Sequence, residues 1–255
     1  IAPGFGGINL EDFKAPECFE IEKRLHEALD IPVMHDDQHG TAIVVLAGLI
    51  NAVKVVKKDL KKLRVVVSGA GAAGTAISKL LRAAGITEII VLDRTGAIYK
   101  GRPGLAGVKK ELAGFTNPHR VKGACAEAIK GADVFVGVSG KGLLNADLVQ
   151  LMNKDSVVFA LANPDPEILP DEAKAAGARI VATGRSDFPN QINNALVFPG
   201  IFRGALDKGV TKITEDTKLR AARALAALVS RPTAGKIIPD VLDKRVVPAI
   251  ARSVR

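Results

Sequence analysis

The sequence predicts an α/β fold, a doubly wound parallel sheet with flanking helices, and three observations predict it. A β-branched run, Val65-Val66-Val67, passes through Ser68 into Gly69-Ala70-Gly71-Ala72-Ala73-Gly74 and then into an apolar-periodic helix marked by Ile77, Leu80 and Leu81. A second strand, Ile89-Ile90-Val91-Leu92, ends in Asp93. Beyond it, strands keep alternating with short helices as far as Gly184, the pattern of right-handed βαβ crossovers in a parallel sheet.

The chain opens on Phe5-Gly6-Gly7-Ile8-Asn9-Leu10, a strand or loop entering Glu11-Asp12. A helix follows, with Ala15-Pro16-Glu17 as its first turn and Ile21, Leu25 and Leu29 on its apolar face. Ile31-Pro32-Val33-Met34 reads as a short strand running into a polar segment, residues 35–41, ahead of a long apolar helix over 42–56. After the two strands of the glycine unit, residues 94–102 form a glycine-punctuated loop. Further strands are predicted at 133–138, 156–161 and 179–184, with helices at 146–152 and from Pro170 to Ala176 between them. Helices over 201–208, 218–230 and 243–255 close the chain. They carry no recognisable chemistry and are expected to pack on the first fifty residues or to form a dimer surface. The domain division expected is 1–38, 39–205 and 206–255.

Composition narrows the function. Hydrophobic residues make up 47% and charged residues 25% of 255, ordinary for a soluble globular protein with a sizeable core. No apolar run reaches the roughly 18 residues of a membrane span, and Ile1-Ala2-Pro3-Gly4 lacks the basic and apolar regions of a signal peptide, so no membrane partner is expected. Cys18 and Cys125 have neither disulfide nor metal spacing, which suits a reducing cytoplasm. The net charge of +9 is spread over helix faces and loops without aromatic interleaving, and there is no tryptophan. That argues against nucleic acid and for anionic small molecules.

The glycine unit is where chemistry enters. G-x-G-x-x-G between a strand and a helix is the dinucleotide fingerprint of a Rossmann-type NAD(P)-binding domain. Gly69 permits the tight turn, Gly71 lets backbone approach a pyrophosphate, and Gly74 lets helix pack on strand. Ala72 and Ala73 lie between the second and third glycines, ahead of a helix whose N-terminus offers N–H groups and dipole to phosphates. Asp93, nineteen residues after Gly74, stands where a carboxylate meets a ribose hydroxyl. Its charge would repel a 2′-phosphate and favours NAD, while Arg94 beside it could pair with that phosphate and admits NADP.

Glu11-Asp12 and Asp36-Asp37 both end short extended segments. Adjacent strand ends would gather four carboxylates, an all-oxygen set suited to Mg²⁺ or Mn²⁺; alternatively, each pair caps a helix. His35 and His39 lack the intervening glutamate and underlying helix of a zinc hydrolase, and read as hydrogen-bonded histidines near a site. Asn163 ends a strand before Pro164, and Asn193-Asn194 precede Val197-Phe198-Pro199-Gly200; each can line a ligand pocket or simply make a turn or cap.

Three segments then carry a resemblance. Gly6-Gly7-Ile8-Asn9-Leu10-Glu11-Asp12, Pro16-Glu17-Cys18-Phe19-Glu20-Ile21-Glu22 and Ile31-Pro32-Val33-Met34-His35-Asp36-Asp37-Gln38-His39-Gly40-Thr41-Ala42 resemble the bacterial malic enzymes. The resemblance implies metal-dependent oxidative decarboxylation of L-malate to pyruvate and CO₂ with reduction of NAD or NADP. It implies Glu11, Asp12 and Asp37 as metal ligands, with Asp36 in a supporting role that orients a lysine and the metal site. It also implies that Asn163, Asn193 and Asn194 line the nicotinamide and malate pocket. The family's base lysine and acid tyrosine belong to an N-terminal domain preceding the Glu-Asp segment, so residues 1–38 are expected to be a remnant of that domain. A cytoplasmic homodimer or higher homo-oligomer is expected. The competing expectations are another NAD(P)-dependent dehydrogenase, which the two acidic pairs argue against, and a non-catalytic dinucleotide-binding module.

Overall fold

The computed structural model describes residues 2–255 and is built on a six-stranded sheet. Its centre is β3 (Arg64–Ser68), flanked by β4 (Glu88–Asp93) on one side and β6 (Val134–Gly137) on the other. Beyond β6 lie β7 (Val157–Ala160) and β8 (Ile180–Thr183), all parallel. The outer edge beside β4 is β5 (Gly96–Ala97), a two-residue antiparallel strand. It falls within the predicted 94–102 loop, where Gly96 at φ +107° reverses the chain. Strand order therefore changes direction between β3 and β6, and ligands of such sheets bind in the crevice beyond the strand ends there.

Alternation along the strands sends apolar side chains to both faces. Val65, Val67, Ile89, Val91, Val136 and Phe159 join one core with α2 (Asp36–Val56), α3 (Ala72–Ala83) and α4 (Gly107–Phe115). Val66, Ile90, Phe135, Val158 and Val181 join another, covered by α5 (Cys125–Ile129), α6 (Ala146–Gln150) and α7 (Pro170–Ala175). Each such buried side chain contributes roughly 1.5–3 kcal/mol. Both faces are covered, as the doubly wound prediction required.

A second, two-stranded sheet pairs β1 (Ile8–Leu10) in parallel with β2 (Val33–His35), joined by α1 (Glu17–Ala28). The helix expected to begin at 42 begins at Asp36 instead, directly from β2. Asp36 and Asp37 occupy its first turn, where acids complement the dipole, and Gly40-Thr41 masked that turn in the sequence. By length and composition α2 could span a membrane, yet residues 42–49 are buried against the sheet, making it a core helix.

At the C-terminus, α8 (Phe198–Lys208), α9 (Glu215–Ala227) and α10 (Val246–Ser253) follow. Helix α9 lies on α2 and α3, and α10 lies on α8 and α9. The expected divisions at 38/39 and 205/206 fall inside α2 and α8, and one buried cluster runs from Met34 to Val254.

Candidate active site

The loop from β3 to α3 has the shape its glycines imply. Gly69 sits at φ +120°, and its N–H donates to the Leu92 carbonyl (2.9 Å), fixing the turn against β4. A Cβ on Gly74 would lie 1.8 Å from the Gly69 carbonyl oxygen, so only glycine lets α3 start this close to β3. At Gly71 nothing lies within 4 Å, leaving that side of the loop open beside the first N–H groups of α3, at Ala72 and Ala73. An open backbone cradle at a helix N-terminus fits a pyrophosphate. Across the crevice Ser68 Oγ meets Ser139 Oγ at 3.1 Å.

Asp93 ends β4 as predicted, but its carboxylate is turned into its own chain. Arg102 Nη2 donates to both oxygens (2.8 and 2.7 Å), Lys109 Nζ donates at 2.7 Å, and Thr95 donates through N–H and hydroxyl, both at 2.9 Å. Against the opposing effect of burial, these donors hold the carboxyl far below the usual range. Arg94, next along, is exposed.

The acidic pairs meet because β1 and β2 are parallel and in register, Leu10 opposite His35. Asp37 Oδ2 accepts the Asp12 N–H (2.9 Å) and lies 3.1 Å from His35 Nε2. Glu11 is raised by burial and then by Asp37, and accepts a hydrogen bond from Asn9. Asp36 is buried; burial, then Glu11 and Asp37, push it up to about 8. Its Oδ2 accepts from Asn194 Nδ2 (2.9 Å), while its Oδ1 has no partner. Gly40, one turn on, is what leaves space for it, since a Cβ there would lie 1.8 Å from Oδ1. None of these acids caps a helix: the N-cap of α2 is His35, and α1 begins five residues after Asp12. The all-oxygen donors and their mutual repulsion fit a hard divalent cation. Among the described residues, however, no three His, Cys, Asp or Glu side chains already converge as a ligand set.

One cavity of about 310 Å³ joins these parts. Asp37 from the acidic pairs, Ala73 from the glycine loop, Asn163 beyond β7, and Asn193 and Asn194 all border it. Asn193 also caps the short 3₁₀ turn Asn194–Leu196 by accepting the Ala195 N–H (2.8 Å). Glu11, Asp12, Asp93 and Arg94 lie outside its wall.

Two buried acids escaped the sequence reading. Glu167 accepts N–H groups of Ser139 and Ala162 (both 3.1 Å), tying the ends of β6 and β7 at the cavity rim. Glu22 on α1 accepts the His35 N–H (3.0 Å), Gln38 Nε2 (3.2 Å) and His39 Nε2 (3.0 Å), and Lys218 on α9 donates to His39 Nδ1 (2.9 Å). Burial, then Lys218, lowers His39 to about 4, so the ring is neutral; an Nε2–H tautomer can accept from Lys218 and donate to Glu22. No motif marks either acid; a glutamate beside an apolar helical stripe looks like an exposed one.

Against burial, the hydrogen bonds from His39 and from the His35 backbone and the nearby Lys218 charge hold Glu22 down to about 2. A depressed carboxyl stabilises the fold above its unfolded pKa and loses that contribution as pH falls through the folded value. The gap between 4.5 and about 2 corresponds to about 3 kcal/mol. Urea unfolding between pH 5 and pH 2 is expected to show that loss. Glu22→Gln is expected to be less stable at pH 5 with a flatter pH dependence. An unchanged slope in the variant would locate the acid sensitivity elsewhere.

Comparison with known proteins decides the family. The family model described as malic enzyme, NAD binding domain, matches residues 38–254. The chain belongs to that malic enzyme family. The bifunctional malic/malolactic enzyme of Bacillus subtilis is 55% identical over all of this chain and 63% of its own length. The NAD-dependent malic enzyme of Geobacillus stearothermophilus is 54% identical over all of this chain and 53% of its own length. The crystal structure of a malic enzyme from Pyrococcus horikoshii superposes with a TM-score of 0.94 at 48% identity, covering 99% of this chain and 61% of that one. The chain thus spans somewhat more than half the length of these relatives. Malic enzymes named for NAD and for NADP are both among its relatives.

Proposed function

We propose that this chain supplies the coenzyme site and the acidic site of a malic enzyme, oxidising L-malate to pyruvate and CO₂ while reducing NAD⁺ or NADP⁺. The observation that carries the reading is the shared cavity, where Ala73 of the glycine unit, Asp37 of the acidic pairs and three asparagines border one space. Ala72 and Ala73 at the start of α3 would hold the pyrophosphate of a dinucleotide, and Asn163 beyond β7 would be available to its nicotinamide. Each asparagine amide offers donors and an acceptor, which suits a carboxamide and a carboxylate. Asn194 positions Asp36 by a direct hydrogen bond. Glu167 holds the two strand-end loops that border the space.

Glu11, Asp12 and Asp37 would hold Mg²⁺ or Mn²⁺; the closeness of the acids and the unpartnered Asp36 Oδ1 support this. A divalent cation bound there supplies Lewis-acid polarisation of the malate C2 oxygen and offsets the carboxylate charge. The proton-handling lysine and tyrosine that the family resemblance implies are not assigned to residues of this chain.

The test is malate-dependent reduction of NAD⁺ and NADP⁺ with and without Mn²⁺. It is run on this chain and on the chain joined to the further length its relatives carry. Mn²⁺-dependent turnover in the longer protein is expected. Coenzyme binding without turnover in either form would replace this reading with a non-catalytic dinucleotide-binding module or another NAD(P)-dependent dehydrogenase.

A further inference from the structure

A second cavity, of about 750 Å³, opens where α1 faces α3 and α9. That volume suits an organic ligand. Part of its wall is apolar, with Leu80 and Ile213 buried there and Phe19 beside them. Three lysines also line it: Lys79 from α3, Lys212 ahead of α9, and Lys218 from α9. The proposed reaction uses none of them.

Lys218 lacks a counter-charge. Its Nζ donates to His39 Nδ1 (2.9 Å) and makes no ion pair among the described residues. Burial brings its ammonium down to about 8 against the attraction of Glu22 and Glu215, and Lys79 adds repulsion. A cation taken out of water is stable when an anion pairs with it, and this one has spent a single donor of three. The acids around the cavity do not fill that place. Glu22 already accepts three donors, Glu27 pairs with Lys23 (4.0 Å), and Asp30 and Glu215 are exposed. Lys79 is 42% exposed, and its partner Glu111 lies outside the cavity wall. A carboxylate between Lys218 and Lys79 would supply the missing charge and relieve their repulsion, with its carbon body against Leu80 and Ile213.

Lys218 also begins a hydrogen-bond chain that ends at the acidic pairs. His39 Nε2 bonds Glu22 Oε2 (3.0 Å), which also accepts Gln38 Nε2 (3.2 Å). Gln38 Nε2 meets His35 Nδ1 (2.9 Å), and His35 Nε2 meets Asp37 Oδ2 (3.1 Å). A ligand that draws Lys218 away from His39 removes the donor that fixes the first ring of this chain. We propose that the cavity binds an organic carboxylate between Lys218 and Lys79, and that its occupancy loosens Asp37 through His39, Glu22 and His35. The coupling rests on the proposed cation site at Asp37; the carboxylate site does not.

Calorimetric titration of this chain with benzoate, and with benzamide as its uncharged analogue, tests the site. Benzoate is expected to bind at least about tenfold tighter than benzamide. Lys218→Met, close in length and uncharged, is expected to weaken benzoate by at least about tenfold, and Lys79→Gln by about threefold. Equal binding of the two probes, binding of neither, or an unchanged benzoate affinity in either variant would overturn the site. So would loss of benzoate binding in the longer protein, because the further length would then occupy the cavity. Mn²⁺ affinity, read by electron paramagnetic resonance, is expected to weaken about threefold at saturating benzoate, and benzoate is expected to leave it fixed in Lys218→Met. An Mn²⁺ affinity indifferent to benzoate in the wild type would overturn the coupling alone. Absence of Mn²⁺ binding would remove the cation site and the coupling together, while the benzoate titration still decides the carboxylate site.

Discussion

Replacing Gly74 with alanine is expected to abolish dinucleotide binding and to cost the fold about 1–3 kcal/mol, the range for an overpacked site. The added methyl would lie 1.8 Å from the Gly69 carbonyl oxygen, and that oxygen is backbone, so no rotamer change relieves the clash. Gly69 cannot retreat, because its N–H is bonded to Leu92 and its φ of +120° is already one that side chains avoid. Helix α3 must therefore move off β3, carrying away the N–H groups that would meet a pyrophosphate in the proposed site. Gly71→Ala provides the contrast. Nothing lies within 4 Å of a Cβ there, so the chain is expected to melt as the wild type does while NAD⁺ binding weakens by more than about tenfold, the methyl standing where phosphate approaches. Thermal melts paired with titration calorimetry separate the two. Wild-type NAD⁺ affinity in Gly71→Ala would place the coenzyme away from this loop.

The second large effect is expected at Asp37. Asp37→Asn keeps the shape of the side chain but removes the charge of the only acid from the two pairs that borders the shared cavity. Malate turnover by the longer protein is expected to fall about 10³-fold, corresponding to about 4 kcal/mol of lost electrostatic stabilisation. The Mn²⁺ concentration needed for residual activity is expected to rise. NAD⁺ titration serves as the folding control, since the glycine loop lies on a different strand. Turnover within a factor of about three of the wild type would remove Asp37 from the proposed metal site.

The elements that positioned the site were legible because their signals are local. Three glycines at fixed spacing between a β-branched run and an apolar helix constrain a few consecutive residues, and those constraints act by steric contact within one turn. The alternation of strands and helices fixed the sheet class for the same reason. The start of α2 was misplaced because Gly40 and Thr41 are weak helix formers. In the fold, Gly40 sits there to make room for the Asp36 side chain.

The sequence by itself determined the doubly wound sheet, the dinucleotide loop and the two acidic pairs at strand ends. Tertiary structure alone decided what each charged group faces. Asp36 meets Asn194 from 158 residues away, Lys218 reaches His39 across 179, and Asp93 is claimed by Arg102 and Lys109 instead of standing open. The physical reason is that a turn excludes nearly every residue but glycine, whereas a carboxylate accepts any donor that folding brings within about 3 Å. With 36 lysines and arginines in the chain, the partner of a given acid is a property of the packed structure.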